Sequence, residues 1–133
     1  MKPAYVAGPE VLLVDDAPVA RVTVARTHQE KGRGLLGTSS VEGALWLDGA
    51  SSVHMMGMAY PIDVAVLDRD GVVLKVATLP PWTGLTRPRL KGRAVVEAAA
   101  GSMTTWGVRK GARLSVGRPD AIRDRASGGP GTG

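Results

Sequence analysis

The sequence predicts a mainly β, single-domain protein, and three observations carry that expectation. The chain has 133 residues, enough for one hydrophobic core but short for two domains. Its 18 glycines and 9 prolines divide it into short pieces, which suits strands and turns better than a helix bundle. Several pieces alternate apolar and polar residues, the period of a half-buried strand.

The elements are read in chain order. Residues 10–14 (EVLLV) and 19–26 (VARVTVAR) flank the turn sequence DDAP and read as two strands. In the second, Val22 and Val24 alternate with Arg21 and Thr23. Thr27 and Glu30 form the sequence pattern of a capping box, in which each side chain satisfies a free N–H at a helix start. Gly32 and Gly34 limit that helix to a couple of turns, with Leu35 and Leu36 as its anchors. Residues 43–47 (GALWL) are a short strand. The stretch 53–68 (VHMMGMAYPIDVAVLD) reads as a strand over 53–58, a proline corner, and a strand over 62–68. DRDG at 68–71 is a hairpin turn signal leading into a strand at 72–79. Three prolines and two glycines make 80–92 a loop. Residues 93–100 form a strand, GSMTTWG a helical turn capped by Ser102, and 112–116 the closing strand. Residues 1–18 are a lead-in with its own strand, 19–116 the β domain, and 117–133 a tail too poor in apolar bulk to order.

Composition removes several chemistries. There is no cysteine, so disulfides, thiolate zinc sites and cysteine nucleophiles are excluded. No apolar run approaches the roughly 20 residues that span a bilayer. The amino terminus lacks the apolar core of a signal peptide, and the expected location is the cytoplasm. The net charge of +5 favours solubility and anionic partners weakly. Trp82 with Arg87, Arg89, Lys91 and Arg93 is a basic loop around one aromatic, too short to read as a nucleic-acid footprint. The sequence holds no glycine-rich phosphate loop, Ser-His-Asp set or zinc-protease helix motif, and no cofactor is expected.

In order, Thr27, Glu30, Gly34-Leu35-Leu36, Gly43 before ALWL, HMMGM at 54–58, PIDVAVLDRDG at 61–71, VEAAAG at 96–101 and GVRKGARL at 107–114 resemble the domain-of-unknown-function 192 family of small bacterial and archaeal proteins. The likeness covers residues 19 to 116 and is most specific over 54–71. Lys31, Gly37-Thr38 and Ala112 depart from the family pattern, and the 80–92 loop lacks its usual cysteine. The resemblance implies a compact β-sandwich or jelly-roll-like barrel with one or two short helices. It implies no activity.

Five residues are candidates for ligand contact: His54, Met56, Met58, Asp63 and Glu97. Asp63 opens a strongly apolar strand, so its carboxylate needs hydrogen-bond partners. N–H groups of the Tyr60-Pro61 turn would supply them in a structural role. In a functional one, a raised pKa would suit ligand binding or proton transfer. Glu97 lies among small apolar residues. It either pairs with an arginine or joins Asp63 as a carboxylate pair, the arrangement of an acid–base hydrolase acting on a small or sugar-like substrate. His54, Met56 and Met58, two apart, would share one strand face and form a soft Cu(I) donor set. The alternative is that the methionines are adaptable core filler. Two registers of a hairpin between 53–58 and 62–68 remain open. With Met58 opposite Ile62, Asp63 faces with Met55 and Gly57, and with Met58 opposite Asp63, it faces with His54. The function expected is a small binding or accessory module for an unidentified small molecule or protein, with the acid–base enzyme and the copper protein as alternatives.

Overall fold

Nine strands and two short helices form in residues 2–120, the part of the chain that the computed structural model describes. They are β1 (Ala4–Val6), β2 (Glu10–Val14), β3 (Ala17–Ala25), α1 (His28–Arg33), β4 (Ser40–Glu42), β5 (Ala44–Asp48), β6 (Ile62–Leu67), β7 (Val73–Leu79), β8 (Ala94–Ala99), α2 (Ser102–Thr105) and β9 (Leu114–Gly117). Seven strands make one sheet in the order β7-β6-β8-β5-β3-β2-β9. All its pairings are antiparallel except β3 with β5, which α1 connects. β1 and β4 form a separate parallel pair. The mainly β, barrel-like fold with two short helices is as the sequence predicts.

Local chemistry explains the turns. Asp15 and Asp16, with φ of 48° and 69°, supply the two left-handed positions of a tight β2–β3 hairpin. Thr27 Oγ1 accepts from the Glu30 N–H at 3.1 Å, and Glu30 Oε1 accepts from the Thr27 N–H at 3.0 Å, so the expected capping box forms. At 68–71, Asp68 Oδ1 accepts from the N–H groups of Asp70 and Val72, and Gly71 has φ of 82°.

The sheet curls until its edges meet. Val72 bridges to Arg113, Val73 N–H donates to the Ala112 carbonyl and Leu114 N–H to the Gly71 carbonyl, both at 2.8 Å. One apolar cluster draws on all seven strands, including Leu12, Val22, Leu67, Val73, Val96 and Leu114, and fills the concave side. A second covers the outer face, where Val64, Val66 and Val95 pack against Leu35, Val53, Met55 and Met58 from connecting segments.

Two expectations are corrected. Residues 53–58 are a loop, not a strand. β6 is hydrogen-bonded to β7 on one side and β8 on the other, so neither edge is free and neither hairpin register with 53–58 exists. The loop turns at Met55–Met58, where Met58 N–H donates to the Met55 carbonyl at 2.9 Å and Gly57 takes φ of 88°. Second, Ser102 does not cap α2; the N-cap is Gly101, which has no side chain to do so. β1 and β4 are not among the elements read from sequence, because three-residue strands carry no readable period. Residues 10–14, assigned to the lead-in, lie within the main sheet between β3 and β9. The expected disordered tail falls mainly on 121–133, outside the described residues.

Gly71 is where the curl closes. A Cβ there would sit 2.3 Å from the Leu114 carbonyl oxygen. Gly71→Ala is therefore expected to cost about 3 kcal/mol or more, combining backbone strain with a clash against main chain. Gly111→Ala, with φ of 92° and nothing within 4 Å of the added carbon, should cost only about 1–2 kcal/mol. Urea midpoints of the two variants check this: equal losses would show that the approach to Leu114 is unimportant.

Candidate functional site

Asp63 and Glu97 sit on neighbouring strands, at neighbouring positions in the ladder. Asp63 pairs with Ala98 and Val64 with Glu97. Adjacent positions point to opposite faces of a sheet, so the two carboxylates are separated by the sheet itself. The carboxylate pair considered from sequence does not form.

Asp63 faces the concave side and is fully engaged. Its Oδ1 accepts from the Thr78 hydroxyl at 2.6 Å, and its Oδ2 accepts from the N–H groups of Gly101 and Met103 at 2.9 and 3.0 Å. It thereby caps α2 from a distant strand. Its donors are not the Tyr60-Pro61 turn: the side chain projects off the sheet towards the segment that follows β8, and the turn lies elsewhere.

Glu97 faces the outer side and is 6% exposed. Among the described residues no hydrogen bond reaches its carboxyl, and burial alone pushes its pKa up to about 7. Nor does it pair with an arginine, the structural role expected for it; among the described residues the ion pair formed is Arg109 with Asp15. The carboxyl opens instead into a cavity of about 160 Å³. The walls are apolar where Leu35, Leu47, Val53 and Met58 contribute, and cationic where Lys31 and Arg33 do. Lys31 Nζ is held by the Asp48 carbonyl at 2.9 Å. Nearby, Tyr60 shares a 2.8 Å hydrogen bond with Thr38. Its hydroxyl pKa is raised, chiefly by burial, with the charge of Glu97 adding to the effect.

His54, Met56 and Met58 line this same cavity, although not as one strand face. The turn at Gly57 leaves Met56 71% exposed and Met58 buried at 6%. Met55 lies wholly in the core, as expected of filler. Four of the five candidates thus converge, and Asp63 does not. Lys31, Arg33 and Leu36 also line the cavity and were not anticipated. The capping box locates α1, but nothing local states what its last turn faces. Among the described residues no group of three or more His, Asp or Glu side chains is placed to hold a metal, and no helix is long and apolar enough to cross a membrane.

A family model described as "Uncharacterized ACR", domain of unknown function 192, matches residues 11–116. The chain belongs to that family. Its model runs from β2 to β9 and so spans the seven-stranded sheet and the cavity. A protein of unknown function from Novosphingobium aromaticivorans has a similar crystal structure, with a TM-score of 0.65 and 20% identity over 80% of this chain and 83% of that one. A protein from Sinorhizobium meliloti, described as a "putative transcription regulator", gives a TM-score of 0.66 and 18% identity over 83% of this chain and 95% of that one. At such identities the likeness establishes the fold alone. No functionally curated protein matches the chain.

Two predictions follow from the carboxylates. Asp63→Ala leaves the buried N–H of Met103 and the Gly101 N–H without an acceptor and should cost about 3–5 kcal/mol; Asp63→Asn, which keeps an oxygen, should cost about 1–2 kcal/mol. Equal effects in equilibrium denaturation would contradict the capping role. For Glu97, the folded pKa of about 7 exceeds its unfolded value of 4.5. Between those values the unfolded chain releases the proton and the folded chain keeps it, so stability falls as pH rises through that window and levels off above it. The loss is on the order of 3 kcal/mol. Subtracting Glu97→Gln from the wild type at each pH isolates this contribution, and a pH-independent difference would refute it.

Proposed function

We propose that the protein is a small-ligand-binding domain whose recognition group is the Glu97 carboxyl. One observation carries the reading: Glu97, a residue 6% exposed whose carboxyl has no hydrogen-bond partner among the described residues, lines a cavity of about 160 Å³. A buried polar group without a partner is costly, and a ligand that supplies an N–H donor or a cationic nitrogen removes that cost. The volume suits a compact ligand, since an engineered cavity of about 150 Å³ holds benzene. The exposed Arg33 and half-buried Lys31, which line the same cavity, add attraction for an acidic group of the ligand. The class that meets both requirements is a small zwitterion with a short apolar body, such as a small amino acid.

An acid–base enzyme using Asp63 with Glu97 is not favoured, because the sheet separates them. The Cu(I) reading retains one supporting observation: His54, Met56 and Met58 line the same cavity, and an imidazole with two thioethers is a soft donor set.

The test is a thermal-shift panel of small amino acids, simple amines, simple carboxylates and Cu(I) under reducing conditions. A ligand at 100 times its Kd adds about 2.7 kcal/mol to stability, a shift of several degrees at this chain length. The small zwitterions should shift the wild type most and leave Glu97→Gln unmoved. An unchanged response in Glu97→Gln would remove Glu97 from the site. A shift with Cu(I) alone, lost in Met56→Leu, would replace the small-molecule reading with the metal one.

A further inference from the structure

Two segments of this protein carry cations and no acidic residue, 71–96 with five and 98–119 with four, and the first also carries exposed apolar side chains. Residues 71–96 hold Lys75, Arg87, Arg89, Lys91 and Arg93 and no acidic residue. Those five equal the net charge of +5, so the other basic and acidic residues of the chain balance. Lys75, Leu85, Arg87 and Arg89 line one shallow hollow. Lys91 and Arg93 line a second, together with Arg69, Asp68 and Asp70. Within the same segment three large apolar side chains stand in solvent: Trp82 at 61%, Leu85 at 61% and Leu90 at 93% exposed.

Their exposure is imposed by a pinned backbone. Gly84 is packed so closely that a Cβ would lie 2.9 Å from both Leu79 Cβ and Met55 Cγ. Its carbonyl accepts from the Met55 N–H at 2.8 Å. Thr86 is 4% exposed, and its hydroxyl accepts from the Val53 N–H at 2.9 Å. With Gly84 and Thr86 directed inwards, Leu85 and Arg87 are directed outwards. Trp82 is held out by a left-handed backbone, φ 66°. Leu90 sits in a turn closed by Gly92 N–H donating to the Arg89 carbonyl at 2.9 Å. The Arg93 guanidinium braces it by donating to the carbonyls of Leu90 and Gly92. Leu90 is thus presented between Arg89 and Lys91.

We propose that the face formed by residues 82–93 and Lys75 docks on an anionic lipid surface, with Leu90, Leu85 and Trp82 entering the headgroup region and the basic side chains pairing with lipid phosphates. Basic residues around protruding Leu and Trp are the chemistry of interfacial binding. A single-stranded nucleic acid would use the same charges, but with successive aromatic platforms. Here one aromatic is exposed and the most exposed side chain is a leucine, which gains by entering hydrocarbon and not by lying on a phosphate backbone. This inference is independent of the cavity, since none of the five cations lines it.

Co-sedimentation of the full chain with phosphatidylglycerol–phosphatidylcholine vesicles, against phosphatidylcholine alone, tests it. Binding is expected to the anionic vesicles only and to weaken with salt. Arg87→Gln with Arg89→Gln should lower the partition constant about 25-fold, roughly fivefold per cation, and the Lys versions should restore it. Leu90→Ser should lower it about tenfold with an unchanged Tm, because Leu90 packs on nothing. The proposal is overturned by absence of binding at low salt, by binding that Leu90→Ser leaves intact, or by preference for a single-stranded oligonucleotide over the vesicles.

Discussion

Burial on both faces, combined with hydrogen bonding on both edges, constrains the centre of this sheet more than any other feature. All six residues of β6 are buried, and β8 beside it is buried over five of six. Little solvent reaches that layer, so each polar side chain must be satisfied by protein or opened to a cavity. Asp63 and Glu97, the two buried charged side chains among the described residues, meet the requirement in opposite ways. Asp63 turns to the concave side and finds three donors. Glu97 turns to the outer side and finds space.

The same constraint creates that space. Because β7 and β8 occupy both edges of β6, the chain between β5 and β6 cannot join the sheet. It lies instead across the outer face, tied to the 80–92 segment through Met55 to Gly84 and Val53 to Thr86. The last turn of α1 and Leu35 line the same cavity, guided by the capping box that fixes where the helix begins. The outer face is therefore covered by loops and one short helix, which pack less completely than strands do. The cavity above Glu97 is the gap where those pieces meet.

How much of this was legible in the sequence depends on the range of each interaction. The β2 strand, the Thr27–Glu30 capping box, the turn at 68–71 and the irregular 80–92 loop are set by residues a few positions apart, and sequence reading finds them. The 53–58 segment has the alternation of a strand, but whether it becomes one depends on free edges of β6, which no local pattern records. Asp63 is recognisable as a carboxylate needing partners, yet its donors lie 38 and 40 residues away. For Glu97 the small apolar neighbours signal burial. The missing arginine partner could not be read, because it depends on which loops cross the outer face. Sequence reading groups His54 with Met56 and Met58, and Glu97 with Asp63; that Glu97 lines a cavity with the first three depends on the Gly57 turn, which reads locally as part of a strand.

The energetics of Glu97 bear on why such a residue is present. A chain of this size has a margin of about 5–15 kcal/mol between folded and unfolded states. A carboxyl whose pKa is raised to about 7 uses on the order of 3 kcal/mol of that margin at neutral pH. A glutamine or a leucine at the same position would not titrate, and nothing in the fold requires a carboxyl there: no turn, cap or ion pair among the described residues uses it. Asp63 marks the contrast, since its removal would strand the start of α2. A group that the fold does not need, that destabilises it when ionised, and that faces an open cavity fits the ligand-contact role we propose for it. Perturbed carboxyls of this kind concentrate at functional sites for that reason. With its pKa raised to about 7 by burial, the Glu97 side chain can donate or accept a hydrogen bond at little cost in either direction.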